Sequence, residues 1–177
     1  QVADGEAVAC RAVVVAVEAP EVPFLVPDVD PPPSKSPLQL AWAADTPPPE
    51  AAVLMLAGVG TGPVNNAQAM SAVAPSYAPA GQALVTASVV GHPVQADEVV
   101  EAEARAQLRG WFGEAVDGWR LLRADRVLHA LPVLATLDPP EQPPRLRDGL
   151  YLTGDWRRNG SINGAMRAGR HAAEAVA

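Results

Sequence analysis

Residues 149–177 constrain the fold of this chain more than any other part of its sequence. Residues 150–153 form a short apolar run between two glycines, which predicts a buried strand. A Gly154-Asp155 turn and a polar loop follow, and Ser161 is a suitable N-cap for a terminal helix. A helix that begins just after a strand turns its free N–H groups and its positive dipole end toward this corner. The corner therefore favours an anionic ligand.

Apolar and small residues recur along the terminal helix with the i, i+3, i+4, i+7 spacing of one helical face. This pattern predicts that the face packs against the rest of the domain. Gly164 and Gly169 would let the backbone approach a ligand or a strand that a Cβ atom would block. The predicted packed face consists of Ile162, Ala165, Met166, Gly169, Ala172, Ala173 and Val176.

The same segment resembles the C-terminal signature of the FAD-dependent amine oxidase and phytoene desaturase superfamily. In that family a strand ends in Gly-Asp, and the helix that follows begins Ser-Ile-x-Gly-Ala and continues with small residues. The matching residues here are Leu152, Gly154, Asp155, Ser161, Ile162, Asn163, Gly164, Ala165, Gly169, Ala172 and Ala173.

The resemblance implies that this corner is part of an FAD site. Asp155 would hydrogen-bond the ribityl or pyrophosphate part of FAD, and the backbone of residues 162–165 would meet the pyrimidine edge of the isoalloxazine. A reduced flavin carries negative charge at that edge, and a helix N-terminus stabilises such charge by about 0.5–2 kcal/mol. The implied cofactor-binding residues are Gly154, Asp155, Ser161, Ile162, Asn163, Gly164 and Ala165.

An alternative interpretation stands beside this one, because a Gly-Asp turn before an alanine-rich helix also occurs in α/β proteins as packing alone. The run of matches at constant spacing favours the cofactor site. Arg157 and Arg158 are either charges near the cofactor or exposed loop arginines. Trp156 either covers the flavin edge or packs in the core, and Asn159 and Asn163 are polar candidates near the flavin.

The start of the chain predicts a hairpin at Asp4-Gly5, followed by the β-branched run of residues 13–15. The resemblance implies that residues 1–26 return to the FAD domain, residues 27–132 belong to the substrate domain, and residues 133–177 close the FAD domain. The predicted fold class is α/β (α+β), with a partial Rossmann-like FAD domain and part of a mixed-sheet substrate domain.

Within the substrate domain, alternating or continuous apolar runs predict strands over residues 38–42, 52–57 and 83–90. Asp97 can cap a helix that extends to residue 111, with Val100, Ala104, Leu108 and Trp111 on one face.

Flavoproteins of this family open with a strand, a GxGxxG turn and a helix that together hold the FAD pyrophosphate. The glycine cluster of residues 58–62 reads GxGxG, and Pro63 follows it without a periodic helix, so it is not that fingerprint. We therefore expect this chain to be the C-terminal part of a longer flavoprotein, or the product of a truncated gene, with half of an FAD site.

Composition excludes several partners and sites. A net charge of −7 with 13 basic residues argues against nucleic acid as a partner, and no apolar run approaches the roughly 20 residues of a membrane span. Cys10 is expected to be a small buried hydrophobe. His92, His129 and His171 show no metal-ligand spacing, and His171 is expected to be solvated. The sequence leaves membrane-surface association and oligomeric state open.

The resemblance implies an oxidoreductase, desaturase-like or amine oxidase-like, that transfers hydride from a C–C or C–N bond of an apolar or amine substrate to FAD. The flavin carries this chemistry, so no catalytic side chain is assigned. The alternatives are a non-catalytic flavin-fold protein that binds a prenyl or lipid-like ligand, and an inactive truncated remnant. Members of the family occur in bacteria and plastids, which leaves a cytoplasmic or a plastid location open.

Overall fold

The computed structural model describes residues 5, 7–45, 48, 52–137 and 139–177. Short 3-10 helices occupy Ala19–Glu21, Pro75–Tyr77, Gly113–Gly118 and Asp155–Arg157. The α-helices are α1 Val22–Leu25, α2 Met70–Val73, α3 Asp97–Phe112 and α4 Ile162–Val176. The strands are β1 Val13–Val15, β2 Ser34–Lys35, β3 Leu38–Ala44, β4 Met55–Leu56, β5 Asn66–Ala69, β6 Ala83–Val89, β7 Arg120–Arg126, β8 Leu131–Pro132, β9 Arg145–Arg147 and β10 Leu150–Leu152.

The chain divides into two compact units. Residues 1–34 and 131–177 form what we call the terminal unit, and residues 35–130 form the inserted unit. The sequence places the corresponding boundaries at residues 26/27 and 132/133. Which unit holds a cofactor and which holds a substrate stays a prediction. Among the helices that the structure describes, none has the length and apolar character needed to cross a membrane.

The inserted unit contains a five-stranded antiparallel sheet with the order β4-β5-β6-β3-β7. Buried and half-buried residues alternate along β3 and β6, because successive side chains of a strand point to opposite faces. These strands confirm the predictions over residues 38–42 and 83–90. The prediction of a buried strand over residues 52–57 is wrong, because only the two residues of β4 pair with β5 and Leu56 is exposed.

Helix α3 confirms the helix predicted over residues 97–111, and its buried side chains join the core of the five-stranded sheet. Asp97 lies in the first turn rather than at the N-cap, and its carboxylate pairs with Arg126 Nε at 2.7 Å. Trp111 is half-buried. The buried residues of α3 are Val100, Ala104, Leu108 and Phe112.

The terminal unit contains a three-stranded sheet with the order β1-β10-β9. Strands β1 and β10 come from opposite ends of the sequence and run parallel, with Val14 opposite Tyr151. Strands β9 and β10 form an antiparallel hairpin, and Gly149 has a φ of +68° in its two-residue Asp148-Gly149 turn. An Asp-Gly pair is a strong sequence signal for such a turn. The strand predicted over residues 150–153 is confirmed as β10.

The N-terminal segment differs from its prediction. Residues 7–12 contain no strand, and β1 pairs with β10 rather than with a hairpin partner. Asp4 of the predicted hairpin turn lies outside the described residues. Cys10 is exposed, so the prediction that it is a small buried hydrophobe is wrong. The apolar residues that do enter the core of the terminal unit begin at Val15.

A partly buried polar network stabilises the inserted unit. Glu101 Oε1 accepts hydrogen bonds from Trp42 Nε1 at 2.8 Å and from Arg105 Nη2 at 2.6 Å. Arg105 Nη1 donates to the carbonyl oxygens of Val116 at 2.7 Å and Trp119 at 3.0 Å. One carboxylate thus joins β3, α3 and the segment that leads into β7.

Replacing Glu101 with alanine should lower the free energy of unfolding by about 2–3 kcal/mol, because the Trp42 indole and the Arg105 guanidinium lose their shared acceptor. Glu103→Ala is the matched control, since Glu103 is exposed on the same helix and makes no hydrogen bond or ion pair with other described residues. Its loss should cost less than about 0.5 kcal/mol. Urea denaturation measures both values, and equal losses would contradict the stabilising role of the network.

Candidate functional site

The connection from β10 to α4 begins on the core of the terminal unit. The Thr153 N–H donates to the Val15 carbonyl at 2.9 Å, which extends the parallel ladder by one residue. Gly154 follows, and residues 155–157 form a single 3-10 turn in which Arg158 N–H donates to the Asp155 carbonyl. The chain therefore leaves the carboxyl end of β10 in a compact turn, the position at which open α/β sheets bind ligands.

Trp156 fixes the conformation of this turn. Its side chain is 5% exposed and packs in the core that contains Val15 and Leu152. A Cβ atom on Gly154 would lie 2.5 Å from Trp156 Nε1, so the glycine is required by the indole packed against it. The Trp156 Nε1 hydrogen has no acceptor among the described residues. Of the two interpretations from sequence, packing describes the Trp156 ring.

Ser161 caps helix α4, as the sequence predicts. Its Oγ accepts a hydrogen bond from the Gly164 N–H at 3.0 Å and donates to Asn159 Oδ1 at 2.9 Å. The Ala165 N–H donates to the Ser161 carbonyl at 2.9 Å. A Cβ atom on Gly164 would lie 1.9 Å from the Asn159 carbonyl oxygen, so only glycine fits there. Gly164 approaches its own chain, whereas nothing lies within 4 Å of a Cβ atom on Gly169.

Two backbone donors remain at this helix end. The N–H groups of Ile162 and Asn163 make no hydrogen bond with any described residue, while the cap uses those of Gly164 and Ala165. Both residues are exposed, and Ile162 is 83% exposed. The Asp155 carboxylate, in the preceding turn, is likewise without a described partner. The corner thus offers two donors at the positive end of a 15-residue helix, and one free carboxylate.

The face that α4 packs against the terminal unit differs from the predicted face. The buried residues are Gly164, Ala168 and Ala172, which repeat every four positions. Among the predicted residues only Ala172 is buried, and Met166 is 68% exposed. Small side chains let the helix lie close to its neighbours. The larger apolar side chains of Ile162 and Met166 are instead exposed.

Arg157 and Arg158 are not exposed loop arginines, and the last histidine does not lie in the solvated position predicted for it. Arg157 is 8% exposed, and its Nη2 donates to the Pro143 carbonyl at 2.7 Å. Arg158 forms an ion pair with Glu141. His171 is half-buried, and its Nδ1 lies 2.8 Å from the same Glu141 carboxylate. It is therefore partnered instead of solvated. These contacts tie the proline-rich segment before β9 to the β10–α4 connection.

The other two histidines, His92 and His129, are exposed. Among the described residues, no group of three or more His, Cys, Asp or Glu side chains is arranged to hold a metal ion.

The comparison with known families decides what kind of protein this corner belongs to. The family described as flavin-containing amine oxidoreductase matches residues 1–177. The chain belongs to this family. No curated protein sequence matches the chain.

Solved structures similar to this family member agree on the fold. A protein from Pyrococcus furiosus superposes with a TM-score of 0.62 at 15% identity, covering 98% of this chain and 42% of that one. An oxidoreductase from Methanosarcina mazei superposes with a TM-score of 0.53 at 16% identity, covering 81% of this chain and 35% of that one. Reduced UDP-galactopyranose mutase superposes with a TM-score of 0.54 at 16% identity, covering 73% of this chain and 31% of that one. The chain therefore spans less than half the length of these proteins, and the predicted α/β flavoenzyme fold class is confirmed.

The residues of the corner fit a flavin on grounds independent of the family match. The two free N–H groups of α4 suit a partly anionic carbonyl edge, and the free Asp155 carboxylate suits hydroxyl donors.

Sequence reasoning identified the cap and the glycines but not the role of Asn159. Asn159 was expected only as a polar residue near the cofactor, whereas its carbonyl and side chain shape the first turn of α4. The Asn-x-Ser spacing before the helix is the signal that was available.

Gly164→Ala and Gly169→Ala should change stability in opposite directions. The first places a methyl group against the Asn159 carbonyl and should lower the free energy of unfolding by about 2–3 kcal/mol. The second enters open space in a helix interior and should raise it by about 0.5–1 kcal/mol. Denaturant unfolding of the two variants gives both signs, and a gain in stability for Gly164→Ala would contradict the packing described here.

Proposed function

We propose that this chain supplies the substrate domain and the C-terminal part of the FAD site of an oxidoreductase that oxidises a C–C or C–N bond. The observation that carries the proposal is the Ser161-capped helix, which begins just after the β10 turn and keeps two backbone donors free. The family match supports a flavin-dependent oxidoreductase, and FAD with hydride transfer is the finer step proposed here.

The seven residues named from the sequence divide into two roles in this proposal. Gly154, Ser161 and Gly164 shape the corner, because their atoms are already engaged with Trp156, Asn159 and each other. Ile162 and Asn163 would contact the isoalloxazine through their free N–H groups, and Ala165 through its exposed methyl group. Asp155 would accept hydrogen bonds from the hydroxyl groups of the FAD chain.

FAD, when bound, supplies the hydride acceptor, and the protein supplies position and electrostatics. The N-terminus of α4 favours negative charge on the pyrimidine edge by about 0.5–2 kcal/mol, which makes the flavin easier to reduce. None of the described side chains is assigned a proton transfer or a nucleophilic role in this proposal.

The rest of the FAD site would come from a further strand–turn–helix unit with a GxGxxG turn. Parallel strands are nearly always covered on both faces and flanked by other strands. Strand β1 is at the edge of its sheet in the described structure, and Val13 and Val14 are more than 40% exposed. A parallel strand added beside β1, with a helix packed over it, would cover these valines.

The substrate proposed is a small apolar molecule or an amine. The sheet face opposite α3 bears half-buried polar side chains, including those of Gln39, Thr86 and Ser88. The Ser88 Oγ donates a hydrogen bond to Gln39 Oε1 at 3.0 Å. Ala41 and Leu84 lie among them. If this face meets the substrate, such a mixed surface favours a molecule with a hydrogen-bonding group, such as an amine, over a pure hydrocarbon.

The test of the cofactor site uses the complete product of the gene, purified and passed over a desalting column. It should retain flavin, identified as FAD by chromatography after denaturation. Asp155→Ala should weaken retention by about tenfold or more, because a charged acceptor of FAD hydroxyl groups is lost. Asp28→Ala, an exposed carboxylate of the terminal unit, is the control and should retain flavin fully. Absence of flavin from the unaltered protein would overturn the proposal, and full retention by Asp155→Ala would remove Asp155 from the site.

Reduction of the bound flavin separates an enzyme from a non-catalytic binder. Anaerobic addition of amines or of unsaturated and saturated isoprenoids should bleach the absorbance of the oxidised flavin for at least one class. A flavin that binds fully but is bleached only by dithionite would favour the non-catalytic alternative.

A further inference from the structure

A small, partly enclosed cavity lies behind the β10–α4 connection, within the terminal unit. It has room for one water molecule or one monatomic ion. Its lining residues are Gln142, Pro144, Leu152, Thr153, Arg157, Arg158, Ala168 and His171.

Arg157 brings a buried positive charge to this cavity without a carboxylate partner. Its guanidinium donates one hydrogen bond to the Pro143 carbonyl and lies 5.4 Å from the centroid of the Trp156 ring. It makes no ion pair with any described residue. Desolvation by burial lowers the pKa of Arg157 from its ordinary value, yet a guanidinium stays protonated in proteins. Buried charges are normally paired with an opposite charge, and no described residue supplies one to Arg157.

Thr153 brings an unsatisfied hydroxyl to the same cavity. Its side-chain oxygen is buried and has no hydrogen-bond partner among the described residues. The Thr153 hydroxyl hydrogen can therefore be donated to a ligand in the cavity. A buried polar group without a partner costs about 1–3 kcal/mol, which a bound acceptor would recover.

The charges around the cavity are positive in sum. Arg158 and His171 line it together with Arg157, and the carboxylate of Glu141 is shared between Arg158 and His171. Among the described residues, two guanidinium groups thus share one carboxylate. This local excess of positive charge lies in a chain whose net charge is −7.

We propose that this cavity is a halide site, occupied by chloride, in which the Arg157 guanidinium and the Thr153 hydroxyl are the ligands. The anion connects the 3-10 turn after β10 with the middle of α4, at Ala168 and His171, and with the proline-rich segment 139–144. Chloride then stabilises the connection that carries the candidate cofactor residues. The proposal stands independently of the flavin.

The test measures thermal unfolding of the protein at constant ionic strength, with sodium chloride or bromide exchanged for sodium gluconate. Both halides should raise the melting temperature saturably, by about 3 °C at tenfold their dissociation constant. Sodium sulfate at the same ionic strength should not reproduce the saturable rise, and a saturable rise with sulfate would overturn the halide assignment. Equal melting temperatures in chloride and gluconate would overturn the proposal and leave a water molecule as the occupant.

Two variants and a control identify the ligands. Thr153→Val keeps the shape of the side chain and should weaken the chloride effect by about tenfold, without lowering stability in gluconate. Arg157→Gln should abolish the chloride effect. Arg167→Gln, an exposed arginine of α4, should leave it unchanged. If Arg157→Gln does not fold, Thr153→Val decides, and an unaltered chloride response in Thr153→Val would overturn the assignment.

Discussion

The parallel ladder between β1 and β10 is the interaction on which the candidate site depends. It pairs residues 13–15 with residues 150–152, so segments from the two distant ends of the chain form one sheet. Because the strands are parallel, their carboxyl ends lie at the same edge. The 3-10 turn and the N-terminus of α4 follow directly from β10, and they are therefore delivered to the edge at which α/β sheets bind ligands.

Local signals in the sequence predicted much of the site. The cap of α4 depends on residues three positions apart, so Ser161 and its partner Gly164 could be read from the sequence alone. Helix α3 and strands β3 and β6 were predicted for the same reason, since their apolar residues repeat with the period of a helix or a strand.

Long-range packing explains what the sequence did not predict. The apolar stripe of α4 suggested a packed face, but contact with the terminal unit is made by the small residues, which tolerate a closer approach. Arg157 looked like a loop residue because the core that surrounds it is assembled from distant segments. The same holds for β1, whose partner in the sheet lies near the opposite end of the chain.

Exposed apolar residues and free backbone donors coincide at the N-terminus of α4. Ile162 and Met166 lie exposed beside the N–H groups that the cap leaves free. In an isolated domain such a surface would favour association, and in a flavin site it would be covered by the cofactor and by the remaining part of a dinucleotide-binding domain. The chain spans less than half of the length of the similar solved structures.

Hydrogen–deuterium exchange of the complete gene product tests the central claim most directly, namely that the first turn of α4 binds the flavin. Exchange is compared between the FAD-loaded protein and the same protein stripped of flavin, in peptides that cover residues 159–166 and, as a reference, residues 97–112. The account predicts slower exchange at Ile162 and Asn163 on FAD binding, with little change in α3. Bound FAD with unchanged exchange at these two amides would contradict it.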